Sequence, residues 1–188
     1  FVLVDNDQIQ LHNLNRQSFQ FDQVDQFKVI ALGQRLRAIN PEVQAEEFCG
    51  LVTAENVLSL VTKCDVVFDT IDFLDLSAII ALHDEALRQR KPVISLFTAG
   101  WGAVGMYIGG DDRQISWARE IFNVPPSSTD MSYRQKFAEF FVRIQKQLNP
   151  AVGEFMQEVL VKMLDHRPCP EPNVIAGAQL ASVLAQAL

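Results

Sequence analysis

The 188 residues are 48% hydrophobic, enough to bury the core of one domain with, at most, a helical extension. A formal charge of −7 and a pI near 4.9 argue against a general binder of nucleic-acid backbones, because that affinity rests on clustered Lys and Arg that displace counterions. Three cysteines, Cys49, Cys64 and Cys169, are odd in number and far apart; neither a disulfide framework nor a four-cysteine zinc site follows, and a reducing, cytoplasmic setting is expected.

The opening run "FVLV" reads as a buried strand ending at Asp5. A chain that starts on Phe1 inside a strand reads as a fragment or processed form. Next comes a polar loop, "DNDQIQLHNLNRQ", residues 5–17, followed by a helix capped by Asp22. In that helix Val24, Phe27 and Ala31, then Leu32, Leu36 and Ile39, recur at helical spacing until "INP" stops it. "VQAEEFC" is expected to be a short alternating strand, "TAENVLSLVTK" a short helix, and "DVVFDTID" a buried strand ending in acids. A helix from about Leu74 to Arg90, the strand "PVISLFTA" and a Gly-broken hairpin into "AVGMYIGG" complete a parallel α/β sheet with an antiparallel finish. The glycines also rule against a membrane helix in this stretch, and no signal peptide is seen. Beyond Asp111, "DRQISWAREIF", "MSYRQKFAEFFVRIQKQL" and "AVGEFMQEVLVKML" are amphipathic, and "PCPEP" precedes a last apolar helix.

One regular expression is tempting. "GWGAVG", residues 100–105, is a literal G-x-G-x-x-G after a strand, but a dinucleotide fingerprint needs a helix to begin within its glycines, and "MYIGGDD" cannot supply one. A tight hairpin is the better reading. Asp5, at a strand end, is either a solvated cap or the acid that a Rossmann-type unit places on the ribose hydroxyls; in the second case the glycine turn lies upstream of Phe1. Taken singly, Arg16 and Lys28 are solvated cations, His12 a solvated imidazole, and His83 a partly exposed helix residue. Cys49 and Cys64 are expected in the core.

Together, "VDNDQIQLHNLNRQ", "KV" at 28–29, "INP" at 39–41 and "DVVFDTID" at 65–72 resemble the ubiquitin-activating-enzyme-like adenylyltransferases, the HesA/MoeB/ThiF superfamily. The spacing D-x-D-x(5)-N-L-x-R-Q carries the likeness, which runs from Phe1 to about Gly110. The resemblance implies a Rossmann-like three-layer sheet over 1–110, with its first strand and Gly-rich loop absent from these residues. A helical extension would follow over 111–172, then a helix over 173–188 that packs back on the sheet. It implies a homodimer that uses Mg-ATP to adenylate the C-terminal carboxylate of a ubiquitin-like or sulfur-carrier protein. Asp5 would hold the ribose, while Asn13, Arg16 and Gln17 would contact the triphosphate. Lys28 would reach the phosphates and Asp72 would be the magnesium and catalytic aspartate. Asp7 matches the second motif acid, with its role open.

The chemistry accounts for these residue types. Charge grows on phosphoryl oxygens and on departing pyrophosphate, so fixed cations such as Arg16 and Lys28 form a preorganised clamp. Magnesium needs only one or two protein carboxylates beside the nucleotide's own oxygens, and the attacking carboxylate is already ionised at neutral pH, so no general base is required.

Three departures from the family pattern stand out. Asp25 in "VDQFK" occupies a segment where glycine is usual, Phe73 follows Asp72 where asparagine is common, and no pair of C-x-x-C motifs is present for a structural zinc. Cys169, beside His166 and Arg167, is either an idle cysteine or a loop thiol activated by its neighbours. In the extension, Phe140 and Phe141 lie on an apolar stripe that packs against the sheet domain or forms a partner groove. A non-catalytic scaffold with the same fold is the main alternative function. An NAD-dependent oxidoreductase ranks last, because it leaves Arg16, Gln17 and Lys28 without a role.

Overall fold

The computed structural model describes residues 1–72, 75–99, 102–111, 113–126 and 128, with single helical positions at 140, 143, 144, 150, 154, 157, 158, 161 and 162. Phe73, Phe141, His166, Arg167, Cys169 and the expected helix at 173–188 lie outside the described residues.

The elements alternate as expected: β1 (Val2–Val4), α1 (Lys28–Ile39), β2 (Glu46–Phe48), α2 (Val57–Thr62), β3 (Val67–Asp69), α3 (Leu76–Arg88), β4 (Val93–Ala99), β5 (Gly102–Ile108) and α4 (Trp117–Ile121). The result is an α/β fold with two described sheets. β1 pairs in parallel with β2, and in the second sheet β3 pairs in parallel with β4, which pairs antiparallel with β5. Short parallel strands joined through helices are what the alternating apolar pattern demands. Ala99 lies opposite Gly102, and Gly105 sits within β5 opposite Leu96, so residues 102–105 of "GWGAVG" belong to a strand antiparallel to β4 and not to a helix.

The core lies between the second sheet and the helices α2 and α3. Val57 and Val61, Leu82 and Ala86 meet Val67 and Val93 of the sheet, with Ile108 closing the far side. β3 is not buried on both faces, because Val67 and Asp69 point inward while Phe68 remains 39% exposed. At the amino end of α3, Asp75 accepts the Ala78 N–H at 3.2 Å, a side-chain cap that fixes where the helix begins.

Two expectations about the first helix are corrected. It starts at Lys28 and not near Asp22, which belongs instead to a short 3₁₀ turn at Phe21–Gln23. Asp25 adopts φ 71, a left-handed conformation that ends that turn and breaks any continuous helix. The buried positions of α1 are Val29, Ala31 and Gly33; of the predicted stripe only Ala31 is among them, and Ile39 is 74% exposed. Gly33 lies where α1 meets β2, and a Cβ there would fall 1.9 Å from the Glu47 carboxylate, so a larger residue would displace that side chain from its pairing with Arg37 at 2.6 Å.

Cysteine placement also differs from expectation. Cys49, just past β2, is exposed, and Cys64 is half-buried at the end of α2 with its thiol 3.5 Å from the Leu60 carbonyl. In the extension, α4 packs on α3 through Asp84, whose carboxylate accepts from Ser116 Oγ at 2.5 Å and Arg119 Nε at 2.7 Å. Phe140 is fully buried and stacks on Phe122 with ring centroids 4.8 Å apart, so this position of the stripe faces the protein interior.

Candidate functional site

The polar loop is built as a structure in its own right. Ile9, fully buried, anchors it: the Ile9 N–H donates to the Gln26 carbonyl at 2.8 Å, and the Asp25 N–H donates to the Ile9 carbonyl at 2.8 Å. This short antiparallel contact, with Gln8 bridged to Phe27, carries Asp7 to the start of α1. There the Lys28 N–H donates to the Asp7 carbonyl at 2.9 Å and Lys28 Nζ lies 2.7 Å from Asp7 Oδ2. Lys28 stands at the first position of α1, where the helix dipole disfavours a cation, and the Asp7 carboxylate offsets that charge. The Asp7 carboxylate is thus in direct contact with the Lys28 ammonium.

Asp5 stands at the exit of β1, its Oδ1 accepting the Asp7 N–H at 2.8 Å in a local turn. Asn13 is buried and works on the backbone: its Oδ1 accepts the Gln10 N–H at 2.9 Å, and its carbonyl accepts the N–H groups of Arg16 at 3.1 Å and Gln17 at 2.8 Å. Asn13 therefore shapes the turn that carries Arg16 and Gln17. Arg16 Nη1 donates to the His12 carbonyl at 2.9 Å and to Asn15 Oδ1 at 3.1 Å, which fixes one arm of the guanidinium.

Asp72 lies in the second sheet's territory, exposed, three residues past the end of β3; its carbonyl accepts the Asp75 N–H at 2.9 Å. The structure thus gathers Asp5, Asp7 and Lys28 at the exit of β1 and sets Asn13, Arg16 and Gln17 on one adjoining turn. Asp72 belongs to the exit of a different strand.

Whether these residues suit a nucleotide can be asked of Gln17. Its Oε1 is the buried side-chain polar atom that lacks a hydrogen-bond partner among the described residues. A buried acceptor left unmade costs about 1–3 kcal/mol, and a ribose hydroxyl or a metal-bound water is the kind of donor that relieves it. An exposed carboxylate at Asp72 also suits magnesium, which keeps most of its waters. Among the described residues no group of three or more His, Cys, Asp or Glu could hold a metal ion by itself, and no helix is long and apolar enough to cross a membrane. Two cavities are described. One, of about 10 Å³, is lined by His83, Lys91 and Trp117, and the other, of about 620 Å³, by Tyr107, Arg113 and Arg143. Neither is lined by a predicted nucleotide-site residue.

A polar cluster that local reasoning missed sits beneath the exit of β3. Asp69, buried, accepts from His83 at 2.9 Å and from Ser95 Oγ at 3.2 Å, both on Oδ2, and from the Ile71 N–H on Oδ1 at 3.1 Å. His83 is buried and not partly exposed as expected. The signal was present: His83 follows Ile79 by four residues and precedes Ala86 by three, on the apolar stripe of α3.

The architecture is that of an α/β protein with one parallel and one mixed sheet and polar residues at the exits of β1 and β3. Within that class, the ThiF family model matches residues 1–181, and the chain belongs to the ThiF family. Protein HesA of Nostoc sp. is 32% identical over 104 residues, 54% of this chain and 40% of HesA. The sulfur carrier protein ThiS adenylyltransferase of Escherichia coli K12 is 29% identical over 102 residues, again 54% of this chain and 40% of the relative. The chain thus spans about two fifths of the length of these relatives. Among solved structures, E. coli MccB with MccA-N7isoASN superposes with a TM-score of 0.58 at 18% identity, over 98% of this chain and 47% of that one, which shows a shared fold.

Proposed function

We propose that the chain is the nucleotide-binding part of an enzyme that uses ATP to adenylate the C-terminal carboxylate of a sulfur-carrier or ubiquitin-like protein. The observation that carries this reading is the meeting of Asp5, Asp7 and Lys28 at the exit of β1, in a chain that belongs to the ThiF family. A sulfur-carrier adenylyltransferase among its relatives supports the substrate class.

Each residue then has a task. Asp5 accepts from ribose hydroxyls. Lys28 and Arg16 present fixed positive charge to phosphate oxygens, Lys28 held in place by Asp7 and Arg16 by the His12 carbonyl. Gln17 supplies a buried amide whose two ends serve as acceptor or donor according to its orientation. Asp72 would hold Mg²⁺. Bound Mg-ATP supplies an electrophilic α-phosphorus, to which the incoming carboxylate oxygen bonds as pyrophosphate leaves. The chain need not furnish a base, because that carboxylate is ionised at neutral pH. The homodimer implied by the resemblance belongs to the same proposal.

A scaffold without catalysis is the second reading. It is favoured by the position of the two described cavities, which are lined from α3, β5 and α4 and not from the polar loop. ATP-pyrophosphate exchange by the complete polypeptide, with candidate sulfur-carrier or ubiquitin-like proteins, separates the two. Carrier-dependent exchange that disappears in Arg16→Ala and in Asp72→Ala is the expected result. Exchange that survives both substitutions overturns the site assignment, and no exchange with any carrier favours the scaffold.

A further inference from the structure

The Asp69 cluster has no task in the chemistry above, yet it joins three elements around one carboxylate. The register explains how it forms. Val67 lies opposite Val93 and Asp69 opposite Ser95, so the two polar residues emerge on the same inward face of adjacent parallel strands. Helix α3 crosses that face and delivers His83 from 14 residues further along the chain. A carboxylate only accepts, so His83 Nε2 carries the hydrogen that meets Oδ2, and Ser95 donates to the same oxygen. Trp117, on α4, closes the other side of the imidazole, with ring centroids 5.6 Å apart.

The remaining oxygen, Oδ1, accepts the Ile71 N–H, which lies in the Thr70–Ile71 peptide, one peptide ahead of the one that joins Ile71 to Asp72. On its other side, the Asp72 carbonyl is held by the Asp75 N–H, and Asp75 is the cap of α3. The turn bearing Asp72 is therefore gripped at both ends, once by the start of α3 and once, through Asp69, by the middle of the same helix. Rotating the Asp69 carboxylate would release the Ile71 amide and free the stretch of backbone that leads from β3 to Asp72.

We infer that Asp69, locked by His83 and Ser95, is a positioning group that sets the orientation of Asp72. It works on Asp72 through the backbone and touches neither metal nor substrate. The functional half of this inference rests on the proposed role of Asp72; the structural half does not.

Two measurements on the full polypeptide test it. In His83→Leu, amide exchange at Ile71 and Asp72 is expected to quicken by about tenfold or more while exchange in β4 and α2 keeps its pace, a local opening rather than a general loosening. Mn²⁺ affinity in the presence of a non-hydrolysable ATP analogue, read by electron paramagnetic resonance, should fall by up to roughly 10-fold, the low end of the range for direct outer partners of a metal ligand, because His83 acts through Asp69 and the backbone. His83→Gln returns a donor at the same reach and should recover most of both effects. Ser95→Ala removes one of two donors with little change of volume, giving a weaker version of the same pattern should the leucine variant not fold. Unchanged exchange at Ile71, or equal loosening throughout the sheet, overturns the structural half. Unchanged Mn²⁺ affinity in His83→Leu, where Asp72→Asn abolishes binding, overturns the functional half alone. Mn²⁺ binding indifferent to Asp72→Asn overturns the role of Asp72 itself, and exchange at Ile71 still decides the rest.

Discussion

Lys28 Nζ lies 2.7 Å from Asp7 Oδ2, across 21 residues of chain, and the Lys28 amide is bonded to the Asp7 carbonyl in the same place. The two contacts make the loop after β1 and the start of α1 one unit. The pair is asymmetric: the Lys28 side chain is 16% exposed and that of Asp7 59%, so the lysine is the residue the fold confines.

Lys28→Ala is accordingly expected to lower carrier-dependent pyrophosphate exchange on the order of 10²- to 10³-fold, as removal of a preorganised charge does elsewhere. Asp7→Ala should cost on the order of 1 kcal/mol of stability, because the Asp7 half of the pair is solvated while Lys28 is not. Stability is read by urea unfolding. A Lys28→Ala enzyme with full exchange activity would remove the lysine from the site.

Phe140 is fully buried against Phe122, and Phe140→Ala should destabilise the protein by about 3–5 kcal/mol, the range for deleting a core aromatic side chain. Chemical denaturation followed by Trp fluorescence measures it. A loss below 1 kcal/mol would show that the extension does not share the core.

The Arg37 guanidinium, hydrogen-bonded to Glu47, holds the Glu47 carboxyl below the usual carboxylate range. A carboxyl depressed in the folded state adds stability that is fully present above its unfolded pKa, about 4.3, and that fades as pH falls through the lower folded value. Unfolding curves of the wild type and Glu47→Gln should therefore differ by a constant amount near neutrality and converge in acid. Gly33→Ala, which drives a methyl into the Glu47 carboxylate, should abolish the same pH-dependent difference.

Burial pushes the Cys64 thiol up, whereas Cys49 is exposed. Because the thiolate is the reactive form, iodoacetamide at pH 8 should label Cys49 well before Cys64, as followed by peptide mass spectrometry. Faster labelling at Cys64 would contradict the packing of α2.

The sequence by itself determined the kinds of element, their order and the polar character of the loop after β1. Those properties are local: period and punctuation among near neighbours decide strand against helix, and "DNDQIQLHNLNRQ" is polar whatever surrounds it. It also carried the family resemblance, which matched spacings convey without any geometry. Burial was another matter. Phe27, Leu32 and Ile39 have helical spacing and yet stay exposed to differing degrees, because α1 begins only at Lys28 and turns Val29, Ala31 and Gly33 inward instead. Only the tertiary structure decided that Asp7 serves Lys28, or that Asp69, His83 and Ser95 share one carboxylate. Those partners sit 14 to 26 residues apart, and strand register together with the crossing of α3 brings them together, an arrangement that no short window of residues encodes.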